Sequence, residues 1–164
     1  MKLSFTAKTA GSNRTIRFDQ LAAPAIIACV TQASSPQAIS FGPRLRETHA
    51  DPSIAGFLIV VDLRAVPRLL RKPAEGILNG RYKDLAADLP AGRVPEEWIF
   101  ILPDWNGTLL GAFGFTDVSS RAGFAVVDAT GELHGTFQGE SREAEAMACL
   151  AGLVATAAAE SPPG

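Results

Sequence analysis

Ala25-Ile26-Ile27-Ala28-Cys29-Val30-Thr31 constrains this chain more than any other stretch. Its residues are small or apolar up to Thr31 and have the length and Ile/Val content of a strand covered on both faces, so a buried central strand is predicted. Gln32-Ala33-Ser34-Ser35-Pro36-Gln37-Ala38 follows directly. Ser34 and Ser35 are N-cap residue types, and Pro36 suits a first helical turn, where its missing N–H has no bond to lose. A helix is therefore predicted to begin at this corner. A strand that feeds a helix N-terminus can hold an anion or a thiolate, because the dipole and the free N–H groups stabilise negative charge. No thiol stands at the corner itself.

The 164 residues are enough for one domain, and 47% apolar content excludes general disorder. Fifteen basic against 17 acidic residues leave a formal charge of -2. No whole-protein field then favours nucleic acid or a membrane, and neither partner is expected. The first 18 residues carry no apolar run of signal-peptide length, and no stretch reaches the length of a membrane span. A cytoplasmic location is expected on that basis. Cys29 and Cys149 lack metal or redox spacing, so both are expected to be free core residues.

Leu3, Phe5 and Ala7, then Ile16 and Phe18, alternate with polar residues around Gly11-Ser12-Asn13, which predicts an N-terminal hairpin. After the organising strand a helix is expected from Pro36 to about Ala50, interrupted near Gly42-Pro43. Gly56 to Leu63 reads as a second buried strand, parallel to the first with the helix as crossover. Leu78, Tyr82, Leu85 and Leu89 recur at helical spacing and predict a helix over about Ala74 to Leu89. Phe100 to Phe113 and Phe124 to Phe137 share the frame F-x-x-x-D-x-x-G-x-L-x-G-x-F, and each is expected to form strand, turn and a second extended stretch. Ser141 is expected to cap a last helix with Met147, Leu150, Ala151, Val154 and Ala158 on one face, ahead of a loose tail over 161–164.

In that order of elements, the hairpin with Phe18-Asp19-Gln20-Leu21 and the segment Phe124-Ala125-Val126-Val127-Asp128-Ala129-Thr130-Gly131 resemble the redoxin branch of the thioredoxin-like superfamily. The resemblance covers most of the chain. It implies a single α/β domain over 1–164, a three-layer sandwich with a mixed central sheet flanked by helices and an N-terminal β-hairpin. It also implies what is missing. Aligned on Pro36, the two cysteines of the thioredoxin-like site become Ser34 and Gln37, and the peroxiredoxin threonine frame, kept at Thr31, again puts Ser34 at the nucleophile. The cis-proline segment of redoxins becomes Ser120-Arg121-Ala122-Gly123. Arg121 falls one residue from the catalytic arginine of peroxiredoxins, on the other face if extended, so that role does not transfer. A serine hydroxyl reaches no thiolate and forms no disulfide, which excludes dithiol exchange at this corner.

The resemblance thus implies a non-catalytic binding or accessory protein without a cofactor. Its groove would comprise Thr31, Ser34, Ser35, Pro36, Gln37, Ser120 and Arg121, with a protein or peptide partner, and homodimerisation stays open. The alternative is a divergent thiol peroxidase or redox sensor working through Cys29, which needs an exposed thiol of lowered pKa. A third reading, a small-ligand protein on the same fold, needs a deep pocket with convergent polar groups. Ser34 as a nucleophile would need a general base, and only His49 and His134 are available; a helix cap is the ordinary alternative. Glu47, His49 and Asp51 alternate like metal ligands but fall at a helix end where polar side chains face water. Asp104, Asn106 and Gly107 start like a calcium loop without its later acids, as a plain turn also would. Arg64, Arg68, Arg71 and Lys72 offer either an anion site or a solvated helix face. Trp98 is expected in the core and Trp105 at an exposed turn tip.

Overall fold

The computed structural model describes residues 2–139 and 142–160. The proposed cap Ser141 and the tail 161–164 lie outside them. Strands β1 (Thr6–Lys8) and β2 (Thr15–Arg17) form a separate antiparallel pair, the expected hairpin. β3 (Ala25–Val30) is the organising strand, and all six of its residues are buried. Helix α1 (Ser35–Thr48) leads from it to β4 (Gly56–Asp62), which pairs with β3 in parallel as the crossover rule requires. Helix α2 (Arg71–Ala87) follows a short 3-10 turn at Arg68–Leu70. Helix α3 (Pro95–Trp98), strand β5 (Ile101–Asp104) and helix α4 (Thr108–Ala112) precede the hairpin of β6 (Gly123–Val127) and β7 (Leu133–Gln138), and α5 (Glu143–Glu160) closes the described fold.

The main sheet has the order β5-β4-β3-β6-β7, parallel on the β5 side of β3 and antiparallel on the β6 side. The central place of β3 explains its unbroken apolar sequence. Ile26, Ala28 and Val30 face a core with Phe41 and Leu45 of α1 and Leu150 of α5. Ala25, Ile27 and Cys29 face the opposite core with Phe18, Leu110, Phe113 and Val118. Helices α1 and α5 thus cover one face, the hairpin and α4 the other, which is the expected three-layer α/β sandwich.

Four expectations need correction. Helix α1 runs unbroken through Pro43, because Phe41 and Leu45 anchor it on both sides of the one hydrogen bond that the proline removes. The first copy of the internal echo is a strand followed by a helix. Gly107 and Gly131 both take the positive φ that their turns demand (80° and 88°), but Leu109, Leu110 and Phe113 turn into the core at helical spacing. Phe57 is half-buried rather than enclosed, whereas Phe124 and Val126 are buried as expected. On α5 the packed stripe is Ala146, Leu150 and Val154, and Ala151 and Ala158 face solvent.

Candidate functional site

The β3-to-α1 corner is built by reciprocal hydrogen bonds. The Thr31 N–H donates to the Ser34 Oγ at 2.9 Å and the Ser34 N–H donates to the Thr31 Oγ1 at 3.4 Å. The Ser35 N–H already bonds the Thr31 carbonyl at 2.9 Å, in the helical i to i+4 pattern. Thr31 and Ser34 therefore act as the two ends of a capping box. This corrects the expected role of Ser34: its own backbone is helical (φ −94°, ψ −7°), so its hydroxyl points back to Thr31 and caps no later N–H. Its side chain is enclosed, with 1% of the residue exposed. Ser35 donates its hydroxyl to the Gln32 carbonyl at 2.9 Å, and Pro36 lies exposed in the first turn.

Gln37 joins the corner to the segment before β6. Its Oε1 accepts the Ala122 N–H at 2.8 Å, and its Nε2 donates to the Ser120 carbonyl at 3.4 Å. One side-chain amide thereby matches the donor and acceptor of an extended backbone. Ser120 and Arg121 are exposed beside it. The Arg121 carbonyl accepts the Gln138 Nε2 at 3.0 Å, which fixes this segment to β7 as well. Thr31, Ser34, Ser35, Pro36 and Gln37 thus lie beside Ser120 and Arg121 at one end of the sheet, with Ser34 enclosed and Pro36, Ser120 and Arg121 exposed.

Cys29 lies inside, fully enclosed. Burial pushes its thiol well up from the ordinary value, and the negative charges of Asp104 and Asp62 push the same way. The exposed, lowered-pKa thiol that the peroxidase reading requires is not what the fold provides. Burial likewise raises Cys149, which lies partly buried on α5 against the core on the other face of the sheet. The sheet separates the two thiols, which are free.

The remaining sequence candidates disperse. Glu47 and Asp51 are exposed, and among the described residues no three His, Cys, Asp or Glu side chains gather as a metal site. Asp51 instead accepts the Ser53 N–H and hydroxyl at 2.9 and 2.7 Å. Asp104 is buried and accepts the Leu110 N–H at 2.9 Å, which holds the start of α4 to the end of β5. Asn106 closes the turn by accepting the N–H and hydroxyl of Thr108. Trp98 is half-buried, with the guanidiniums of Arg46 and Arg93 over its ring at 5.1 and 4.0 Å. Trp105 is half-buried rather than exposed, because Arg71 covers it at 5.3 Å.

A concavity of about 740 Å³ lies at the opposite end of the strands, beside Ala25, Gly56 and Phe100. Of its polar lining, Arg17 pairs with Asp19 at 3.0 Å and Asp51 accepts the Ser53 hydroxyl, so these groups are already partnered. The contact that sequence reasoning missed is the Gln37 clamp. Its one signal was a polar, amide-bearing residue in the first turn of a helix whose neighbour Ala38 faces the core.

No protein-family model matches the chain, and no curated protein matches it. Solved structures do. The exposed lipoprotein thioredoxin of Streptococcus pneumoniae aligns over 92% of this chain and 100% of its own, with 19% identity and a TM-score of 0.59. A secreted disulfide oxidoreductase of Mycobacterium tuberculosis aligns over 92% and 96%, with 16% identity and a TM-score of 0.56. A thiol:disulfide interchange protein of Chlorobium tepidum aligns over 92% and 93%, with 14% identity and a TM-score of 0.56. These neighbours also correct the cytoplasmic expectation, since an exposed lipoprotein and a secreted enzyme point away from that compartment. The free state of the two thiols follows from the sheet between them. On this agreement of topology over nearly its whole length, the chain has the thioredoxin-like fold.

Proposed function

We propose that this chain is a redox-inactive thioredoxin-like binding module whose partner, a protein or peptide, contacts the rim formed by Pro36, Ser120 and Arg121 beside Thr31, Ser35 and Gln37. One observation carries the reading. At the two positions where the resemblance places sulfur, Ser34 and Gln37 are committed to structural hydrogen bonds, to Thr31 and to the 120–122 segment. Dithiol exchange needs a thiolate that attacks and a second sulfur that resolves, and a hydroxyl and an amide supply neither. The same bonds tie the corner to the 120–122 segment, and a preorganised surface loses less freedom on binding.

The test is paired. Insulin reduction in dithiothreitol is expected to run no faster with the chain than without it. Nitrogen-15 shift mapping against a panel of extended peptides is expected to move the 31–37 and 120–122 amides together. Catalysed reduction, or a sulfenic adduct on Cys29 at low peroxide, would overturn the redox-inactive reading. Peptide shifts confined to another surface would overturn the placement of the rim.

A further inference from the structure

The stretch between Asp62 and Glu75 carries Arg64, Arg68, Arg71 and Lys72 and no acid. Arg64 is already engaged: its guanidinium pairs with Asp62 at 2.9 Å and donates to the Thr116 carbonyl at 2.9 Å. Arg71 covers the Trp105 ring. Among the described residues, Arg68, Arg71 and Lys72 make no ion pair. Leu69 and Leu70 stand between Arg68 and Arg71, and with Ile77, which follows Glu75, they are the most exposed large hydrophobic side chains among the described residues, at 94%, 52% and 67%. Pro67 is extended (φ −58°, ψ 147°) and turns the chain into the 3-10 turn that presents Leu69 and Leu70. Ile77 lies two turns from Leu70 on the same side of α2, whose buried residues are Leu78 and Tyr82 alone. Beyond Gly76 and Gly80 the space is open, so among the described residues nothing covers this face.

The geometry points to a peripheral contact with an anionic lipid surface, in which Leu69, Leu70 and Ile77 enter the interface and Arg68, Arg71 and Lys72 meet the headgroups. Protruding aliphatics flanked by cations are the composition of an interfacial contact. A protein interface instead concentrates aromatic anchors and depletes charge at its centre. A second copy of the chain would bring like charges together on this face. The whole-protein charge of -2 does not oppose the contact, because screening confines electrostatic attraction to a local patch. The contact is superficial: among the described residues no helix is long and apolar enough to cross a membrane.

Sedimentation of the full chain with equimolar phosphatidylglycerol and phosphatidylcholine vesicles tests this. The chain is expected to pellet with these vesicles, to stay in solution with phosphatidylcholine alone, and to be released by salt. Lys72→Ala is expected to weaken the partition about fivefold. Leu69→Ser, at a position that packs against nothing, is expected to weaken it about tenfold without loss of fold. Failure to pellet with the anionic vesicles overturns the proposal. So does pelleting that Leu69→Ser leaves unchanged, and competition by polyglutamate under that condition would identify the face as a contact for an acidic protein instead.

Discussion

Ser34 shows how one atom of difference changes what a corner can do. A sulfur there would sit at a helix start that favours its anion, whereas the hydroxyl completes a reciprocal cap with Thr31 and is enclosed. Ser34→Ala removes the acceptor of the Thr31 N–H and is expected to cost about 1 kcal/mol, read by urea unfolding. A loss several times larger would mean that the hydroxyl supports more than this cap. Cys29 is governed by burial in the same way. Its thiol, held protonated between the central strand and the hairpin layer, is expected to resist native alkylation until the chain unfolds. Fast native labelling near neutral pH, followed by intact mass, would refute that and revive the peroxidase reading.

Among the elements, the two copies of the internal echo show how similar sequence takes different form. Asp104 holds α4 to the end of β5 through the Leu110 N–H, inside the core. Asp104→Ala leaves that buried donor without a partner and is expected to cost about 1–3 kcal/mol. Chemical denaturation of the variant measures it, and a negligible change would show that the N–H finds water. Asp128 instead closes the β6–β7 turn, accepting from the Thr130 N–H and hydroxyl, the Glu132 N–H and His134. Burial raises this carboxyl, but the hydrogen bonds from His134, Thr130 and the two backbone groups outweigh it and hold it at about 2 against an ordinary 3.8. Because the folded value lies below the unfolded one, the stabilisation is full above pH about 4 and disappears as pH falls towards about 2. Asp128→Asn is expected to flatten the acid limb of stability over that window, measured by thermal unfolding at stepped pH. An unchanged limb would place the acid sensitivity elsewhere.

For the whole molecule, the clamp by Gln37 joins two segments more than 80 residues apart, so it belongs to the tertiary structure alone. Gln37→Ala is expected to raise hydrogen exchange at the Ala122 amide well above that of the β6 amides, with little change in global stability. Equal protection in the variant would show that packing of Ala122, not the clamp, orders the segment. The buried strand Ala25–Val30, its parallel partner Gly56–Asp62, the N-terminal hairpin and the absence of sulfur at the corner were all legible in the sequence, because each follows from local composition and period. The run of α1 through Pro43, the helix in the first echo and the inward turn of the Ser34 hydroxyl were not. In each case packing against distant residues outweighed a local rule: Phe41 and Leu45 carried α1 past its proline, and the core drew Leu110 and Phe113 inward. The amino-acid order by itself thus determined the layers and the absence of sulfur at the corner. Which polar groups meet across the corner, and which aliphatic face stays uncovered, was decided only when the sheet closed, because those contacts join residues that no local period relates.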